Sequence, residues 1–287
     1  MFFPPSELVL NDKNQVYHLG LSPAEVSDKI ILVGDQDRVQ LIGSFFDSIE
    51  HTSQHREFCC QTGIYKGKRI SVISTGIGTD NIDIVINELD ALFNIDLTTR
   101  TEKETKTTLQ IIRIGTCGIL QPEIPLHSFV LSTHAYGLDN IAHFYPIEFS
   151  KEESEIANQL TTYLSLPEKI QPYLSKASEN LVNKLNSDRI HQGITVTSSG
   201  FYGPQGRSLR LGLSTNQMNE KLTSFRFKGH KVTNFEMESS ALFVLGKALG
   251  HECATICLGV ANRPNNQFTK CCVDEMNELI LYVLDRL

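Results

Sequence analysis

Along most of the chain, short apolar runs alternate with longer stretches in which apolar residues recur every three or four positions. Unbroken apolar runs predict strands, and the recurrent spacing predicts amphipathic helices. Lys29–Val33 (KIILV) reads as a strand that stops at Gly34 and feeds a helix-like stretch. Arg69–Ser74 (RISVIS) reads as a second strand ending in TGIGTDN, after which Ile82, Val85, Ile86, Leu89 and Phe93 mark one face of a helix. Leu109–Ile114, Phe129–Ser132, Ile194–Thr197 and Ala254–Val260 read as further strands. The chain closes on an amphipathic helix with Met276, Leu279, Ile280, Val283, Leu284 and Leu287 on its apolar side. Strands alternating with helices predict an α/β fold. Strands that are apolar almost throughout predict a sheet covered on both faces, hence a three-layer α/β/α domain.

Thr98–Thr108 (TTRTEKETKTT) breaks the pattern, being wholly polar and rich in Thr and Lys. It reads as an exposed, mobile insertion between a helix and a strand. The alternative, a basic arm for nucleic acid, has three cations against two acids and no interleaved aromatic. No strong linker and no internal repeat is visible, so residues 1–287 are expected to form a single domain.

Charge narrows the partners. With 26 Lys+Arg against 33 Asp+Glu the net charge is −7, and the isoelectric point lies near 5.7. Such a chain lacks the positive field on which sequence-independent binding to nucleic acid relies, and it repels an anionic membrane. Any anionic ligand must be met by a local group of arginines. Eighteen consecutive apolar residues occur nowhere, so no membrane span is expected. The seven cysteines include two adjacent pairs and no Cys-x-x-Cys element, which fits buried thiols in a reducing cytoplasm better than a disulfide framework. Cys253 and Cys257 sharing a metal is the alternative, but no facing pair stands at zinc-site spacing. No charged-then-apolar leader precedes Pro4 and Pro5.

In open α/β sheets, ligands bind where strands end and backbone N–H groups are free. Three expected strand ends carry glycine with a cation or hydroxyl: Gly34 to Arg38, Ser74 to Thr79, and Arg113 to Gly118. Glycine admits an oxyanion close to the backbone, threonine adds a hydroxyl donor and arginine grips two oxygens, so together they describe a phosphate cradle. Each has a plainer reading. Gly-x-Gly after a strand is usually a tight turn, and Arg38 is an ordinary ion-pair partner for Asp35. Arg113 lies within LQIIRIG, where a buried guanidinium requires either an anionic ligand or a carboxylate. Asn234–Ser240 (NFEMESS) opens an apolar helix; its two acids are explained by the helix dipole, or by sugar hydroxyls that Glu238 would accept from beside Met237. Phe201–Arg207 (FYGPQGR) is either a plain turn-rich loop or a reader of a flat base, with Phe to stack, Gln to donate and accept, and Arg to donate.

Taken in order, HLGL at His18–Leu21, GDQDR, SQHREF, STGIG, RIGTCG, FYGPQGR, NFEMES and GVANR span nearly the whole chain. In these motifs the chain resembles the uridine phosphorylase branch of the nucleoside phosphorylase superfamily. The resemblance implies a central mixed, twisted sheet and a pentosyltransferase that splits uridine reversibly with phosphate, for pyrimidine salvage. It implies that Gly34, Arg38, Arg113 and Thr116 hold phosphate, joined by Arg56 from a neighbouring subunit. His18 would likewise be lent across an interface to the ribose 5′-hydroxyl. Met237 and Glu238, supported by Glu236, would hold ribose; Phe201, Gln205 and Arg207, braced by Arg263, would hold uracil. Arg113, Glu238 and Arg207 would carry the catalytic roles. No organic cofactor is implied, only inorganic phosphate as co-substrate and a potassium ion at an interface near Glu57, Ile77 and Asn81. The assembly would be a homodimer or a hexamer of dimers, with small-molecule ligands only.

Three departures and three rivals accompany the resemblance. Gln36 stands where the family has proline, which would loosen the phosphate turn. Asn81 replaces a serine of the ion site, and Thr98–Thr108 has no counterpart in the compact bacterial enzymes. The rivals are a nucleosidase that uses water, a phosphorylase for purine or other nucleosides, and a non-catalytic nucleoside-binding protein. Gly259–Arg263 (GVANR) lacks the Ser-Asp pair of purine-specific members, and the retained phosphate arginines speak against hydrolysis.

Overall fold

The five residues of Lys29–Val33 form β1, and Asp35 caps α1 (Gln36–Gly43) by accepting the Asp37 N–H at 3.0 Å. This is a computed structural model that describes residues 1–215 and 217–287. An antiparallel meander follows: β2 (Ser48–His55), β3 (Phe58–Tyr65) and β4 (Lys68–Ser74). After it come α2 (Thr79–Asn94), the short β5 (Ile95–Asp96) and β6 (Thr101–Glu102), then β7 (Gln110–Ile119) and β8 (Phe129–Gly137). The next elements are α3 (Lys151–Leu164), β9 (Tyr173–Lys176), α4 (Glu179–Leu185), β10 (Ile190–Thr197) and α5 (Met218–Ser224). The chain ends with β11 (Arg226–Phe227), β12 (His230–Glu236), α6 (Ser239–Ala248), β13 (Glu252–Asn262), β14 (Gln267–Phe268) and α7 (Val273–Leu284).

The main sheet runs β11-β12-β10-β8-β13-β7-β1-β4-β3-β2 and is mixed, as the resemblance implies. β1 lies parallel to β4 and β7, whereas β13 is parallel to β7 and antiparallel to β8. An added antiparallel pairing of β12 with β7 rolls one half of the sheet back on itself. The expected layers are therefore present with one curled flank. Ile30 and Leu32 face α2 and α6, packing with Ile82, Val85, Leu89 and Leu242. Ile31 and Val33 face the opposite layer, with Ile42 of α1 and Leu279, Ile280 and Val283 of α7. Each such buried aliphatic side chain contributes about 2 kcal/mol, which explains strands without a polar face. A third cluster seats α3 and α5, through Leu160 and Leu222, against Val196 and Phe235.

Several elements run beyond their apolar signal. β7 continues through GTCG to Ile119, so the RIGTCG motif lies inside a strand and not at its end. β2 (SIEHTSQH) has no apolar run at all and is held by its pairing with β3.

The Thr98–Thr108 segment is exposed over much of its length, but it is not a free insertion. Asp96 Oδ1 accepts the N–H groups of Thr98 and Thr99 at 2.8 and 3.1 Å, closing the β5–β6 hairpin. Asn94 takes the N–H of Thr107 at 2.7 Å, and Lys103 Nζ donates to Phe93 O at 2.7 Å. Arg100 reaches the carbonyls of Phe3 and Leu8, so the hairpin fastens the N-terminal segment. Polar composition misled here because short side chains satisfy the backbone locally.

All seven cysteines are free thiols, four of them buried. Cys253 and Cys257 stand four positions apart on β13, roughly 13 Å along a strand, which rules out a shared metal. No helix among the described residues is long and apolar enough to cross a membrane.

Candidate active site

Strand lengths create the site. β1 pairs with β7 only as far as Leu32 opposite Arg113, and β12 joins the same strand only at Phe235 opposite Gly118. Between those pairings one edge of β7 is free, and a cleft of about 900 Å³ opens beside it. A strand rises about 3.3 Å per residue, so Arg113 and Gly118 lie roughly 16 Å apart along β7.

At the Arg113 end the cleft is lined by Gly34, Arg38, Arg113 and Thr116. Arg38 lies on α1 and turns inward; its Nη1 donates to Ile114 O at 3.4 Å. Burial, and then the charge of Arg113, lower its pKa below the ordinary arginine value, so the Arg38 guanidinium lacks a full complement of counter-charge. Asp35 serves as the α1 cap, not as a direct ion-pair partner of Arg38. Gln36 does not leave the turn loose: its Nε2 donates to Arg56 O at 2.9 Å, tying the turn to the β2–β3 hairpin.

Arg113 meets carboxylates. It donates to Glu238 Oε2 and lies 3.7 Å from Glu236 Oε2, with all three side chains buried. On this feature alone the buried ion pair is the arrangement found, and the groups expected to face phosphate and ribose face each other. Burial pulls the Arg113 pKa down, but Glu238 and Glu236 more than reverse it. A Cβ at Gly115 would collide with Arg113 Nη1, so glycine makes room for the guanidinium. Arg113 Nε is buried without a partner, one donor left over in a site that offers an anion several.

Glu238 also accepts the Gly78 N–H at 3.0 Å. Gly78 has φ +101, a backbone that only glycine adopts readily, and this aims its amide at the carboxylate. Glu236 is committed elsewhere: Oε2 accepts the N–H groups of Glu238 and Ser239 at 2.9 Å each, and Oε1 accepts the Thr197 hydroxyl at 2.5 Å. For Glu236 the plain reading, capping of a helix, is the one found. Burial raises its pKa, and Arg113 only partly offsets this.

At the far end stand Phe201, Gln205 and Arg207. Arg207 lies 3.7 Å over the Phe201 ring and donates to Phe201 O and Gln205 Oε1, both at 2.5 Å. Gln205 is buried, and its carbonyl oxygen is held by Arg263 Nη2 at 3.2 Å, so Arg263 braces the loop from outside the cleft lining. Burial, then repulsion from Arg263, lower the Arg207 pKa to about 10. With Oε1 taken, Gln205 presents its amide nitrogen as a donor.

His18 and Arg56 do not line the cleft of their own chain. His18 is held by Glu88, Nδ1 to Oε1 at 2.7 Å, while Arg56 lies 5.7 Å over the Tyr17 ring. His55 Nδ1 bonds His18 O at 2.8 Å, so the two residues share one surface. Glu57, Ile77 and Asn81 converge around Gly76. Asn81 donates its amide nitrogen to Ile77 O at 3.4 Å, and Glu57 packs beside it against Gly76.

Residue types alone did not flag Cys117, Gly118, Phe235, Val260, Ala261 and Phe268, all of which line the cleft. The first five lie inside quoted motifs and could have been found there. Phe268 carries no signal in the sequence; it arrives through the pairing of β14 with β13.

A family model described as "Phosphorylase superfamily" matches residues 28–282. The uridine phosphorylase of Thermococcus kodakarensis is 31% identical over 268 residues, spanning 93% of this chain and 85% of that protein. The Escherichia coli uridine phosphorylase is 28% identical over 260 residues, or 89% of each chain. A crystal structure of a Trypanosoma brucei nucleoside phosphorylase, described as showing uridine phosphorylase activity, matches with a TM-score of 0.89 and 31% identity, covering 98% of this chain and 100% of that one.

Proposed function

The chain belongs to the phosphorylase superfamily, and from that membership we propose that it catalyses reversible phosphorolysis of uridine to uracil and ribose 1-phosphate. One observation carries the reading: a single cleft is lined by Arg38, Arg113 and Thr116, by Met237 and Glu238, and by Phe201, Gln205 and Arg207, the sets that would hold phosphate, ribose and base. Phosphate on Arg38, Arg113 and Thr116 lies beneath C1′ and stabilises positive charge as the glycosidic bond lengthens. Arg207 and Gln205 donate to uracil oxygens as negative charge gathers on the base. Glu238 accepts from the ribose hydroxyls and holds the sugar in line, a positioning contribution and not a proton transfer.

For both substrates to bind, the Arg113–Glu238 pair must open, each partner exchanging the other for a substrate group. His18 and Arg56 complete the site of a second subunit, supported by their common surface outside their own cleft. A dimer is then the smallest active unit, whether alone or within a hexamer. A monovalent cation at Glu57, Ile77 and Asn81 would draw its remaining ligands from that subunit. Residues 1–287 act as one catalytic domain, and a reducing cytoplasm suits its seven free thiols.

The test is uracil release from uridine with and without phosphate, extended to deoxyuridine, thymidine and inosine. Phosphate-dependent formation of ribose 1-phosphate from uridine is expected. Free ribose appearing without phosphate would establish the nucleosidase, and binding without turnover a nucleoside-binding protein.

A further inference from the structure

Glu236 lines the cleft, and three donors hold its carboxylate beside Arg113. Two are backbone N–H groups at the start of α6. The third is the hydroxyl of Thr197, the last residue of β10, which is fully buried and stands opposite Glu236 in the parallel pairing of β10 with β12. The direction of this bond is set: Thr197 Oγ1 accepts the Ser240 N–H at 3.0 Å, so its own proton is left to point at Glu236 Oε1, 2.5 Å away. Ser240 is in turn fixed by Asp139, to which its hydroxyl donates at 2.6 Å.

We propose that Thr197 is a positioning residue for phosphate, holding Glu236 as the fixed counter-charge that lets Arg113 leave Glu238 when substrates bind. The proposal rests on the phosphorolysis reading above. Glu238 is held by Arg113 and by the N–H groups of Gly78 and Met237, so once the guanidinium leaves it keeps two donors against the three on Glu236, and it is the carboxylate free to turn to ribose. Arg113 then needs a second, immobile carboxylate to hold it at the anion end of the cleft. Without the Thr197 hydroxyl, Glu236 keeps its proton to higher pH, Arg113 is left with Glu238 alone, and that pair resists opening. The other charged or titratable groups facing Glu236 are Arg113 and Cys117 from β7, Glu238 beside it, and Tyr173 of β9 with its partner Asp139. Of these, only Arg113 and Glu238 exchange partners in the proposed reaction.

The test compares wild type, Thr197→Val and Thr197→Ser by titration calorimetry with inorganic phosphate and, separately, uracil, together with the pH profile of kcat/KM. Thr197→Val should weaken phosphate binding roughly tenfold and move the acidic limb of the profile to higher pH, with uracil affinity held within about twofold. Thr197→Ser, which keeps the hydroxyl, should restore both. Three results would overturn the proposal: wild-type phosphate affinity and profile in Thr197→Val, equal impairment in Thr197→Ser, or uracil affinity falling as far as phosphate affinity. If the valine variant does not fold, Thr197→Ala makes the same comparison. A wild-type protein that binds no phosphate would overturn the functional reading itself, and this proposal with it.

Discussion

Arg113 is held between two carboxylates, and its removal differs from loss of a surface charge. Arg113→Ala would leave Glu236 and Glu238 buried without a counter-ion, a loss of about 3–5 kcal/mol by analogy with other broken buried pairs. Urea unfolding should register that loss alongside the loss of phosphorolysis; undiminished stability would mean that solvent reaches the carboxylates. Residue types alone identified each member of this cluster but not their pairing. Arg113 and Glu238 stand 125 positions apart, and only the meeting of β7 with β12 brings them together. The same holds for Thr197, an ordinary strand residue until its partner is known.

At the scale of elements, β1, α2 and α7 were legible because burial on a fixed period leaves a mark in the sequence. β2 was not, since its polar side chains gain their place from a neighbour. The end of β7 is not legible because Gly115, Thr116 and Gly118 look like a turn; there Gly115 serves close packing against Arg113. The β5–β6 hairpin reads as loose in sequence because many of its bonds run from side chains to backbone. Arg100→Ala tests that hairpin. Losing the bonds to Phe3 O and Leu8 O should cost about 1–2 kcal/mol locally and speed amide hydrogen exchange over the first ten residues, with little change in activity. Exchange at the wild-type rate would show that the N-terminal segment is held by other contacts.

Over the whole molecule, acid sensitivity has an identifiable source. Burial, and then the positive neighbours His230 and Lys176, lower the His134 pKa to about 4. The unfolded chain titrates this histidine near 6.5, so between those values the unfolded state binds the extra proton. Stability from keeping His134 neutral is therefore complete above pH 6.5 and is lost as pH falls toward 4, by about 2–3 kcal/mol. Urea midpoints at pH 7 and pH 4.5 should differ accordingly, and His134→Asn should flatten the dependence. The proposed sharing of Arg56 makes a second prediction at this scale. Arg56→Ala and Arg207→Ala should each be inactive, but subunits mixed and reassorted should recover about a quarter of wild-type activity, since one site in each mixed dimer is intact. No recovery would place Arg56 outside the partner's site.

The notch beside β7 exists because a five-residue strand runs alongside a ten-residue one. It is a difference in length, and lengths survive drift that side chains do not. A socket of this origin can be inherited by chains with little else in common, while its lining is rewritten for a different base or sugar. New substrates are then most readily reached by changing the residues around the gap, with both ladders that frame it left alone.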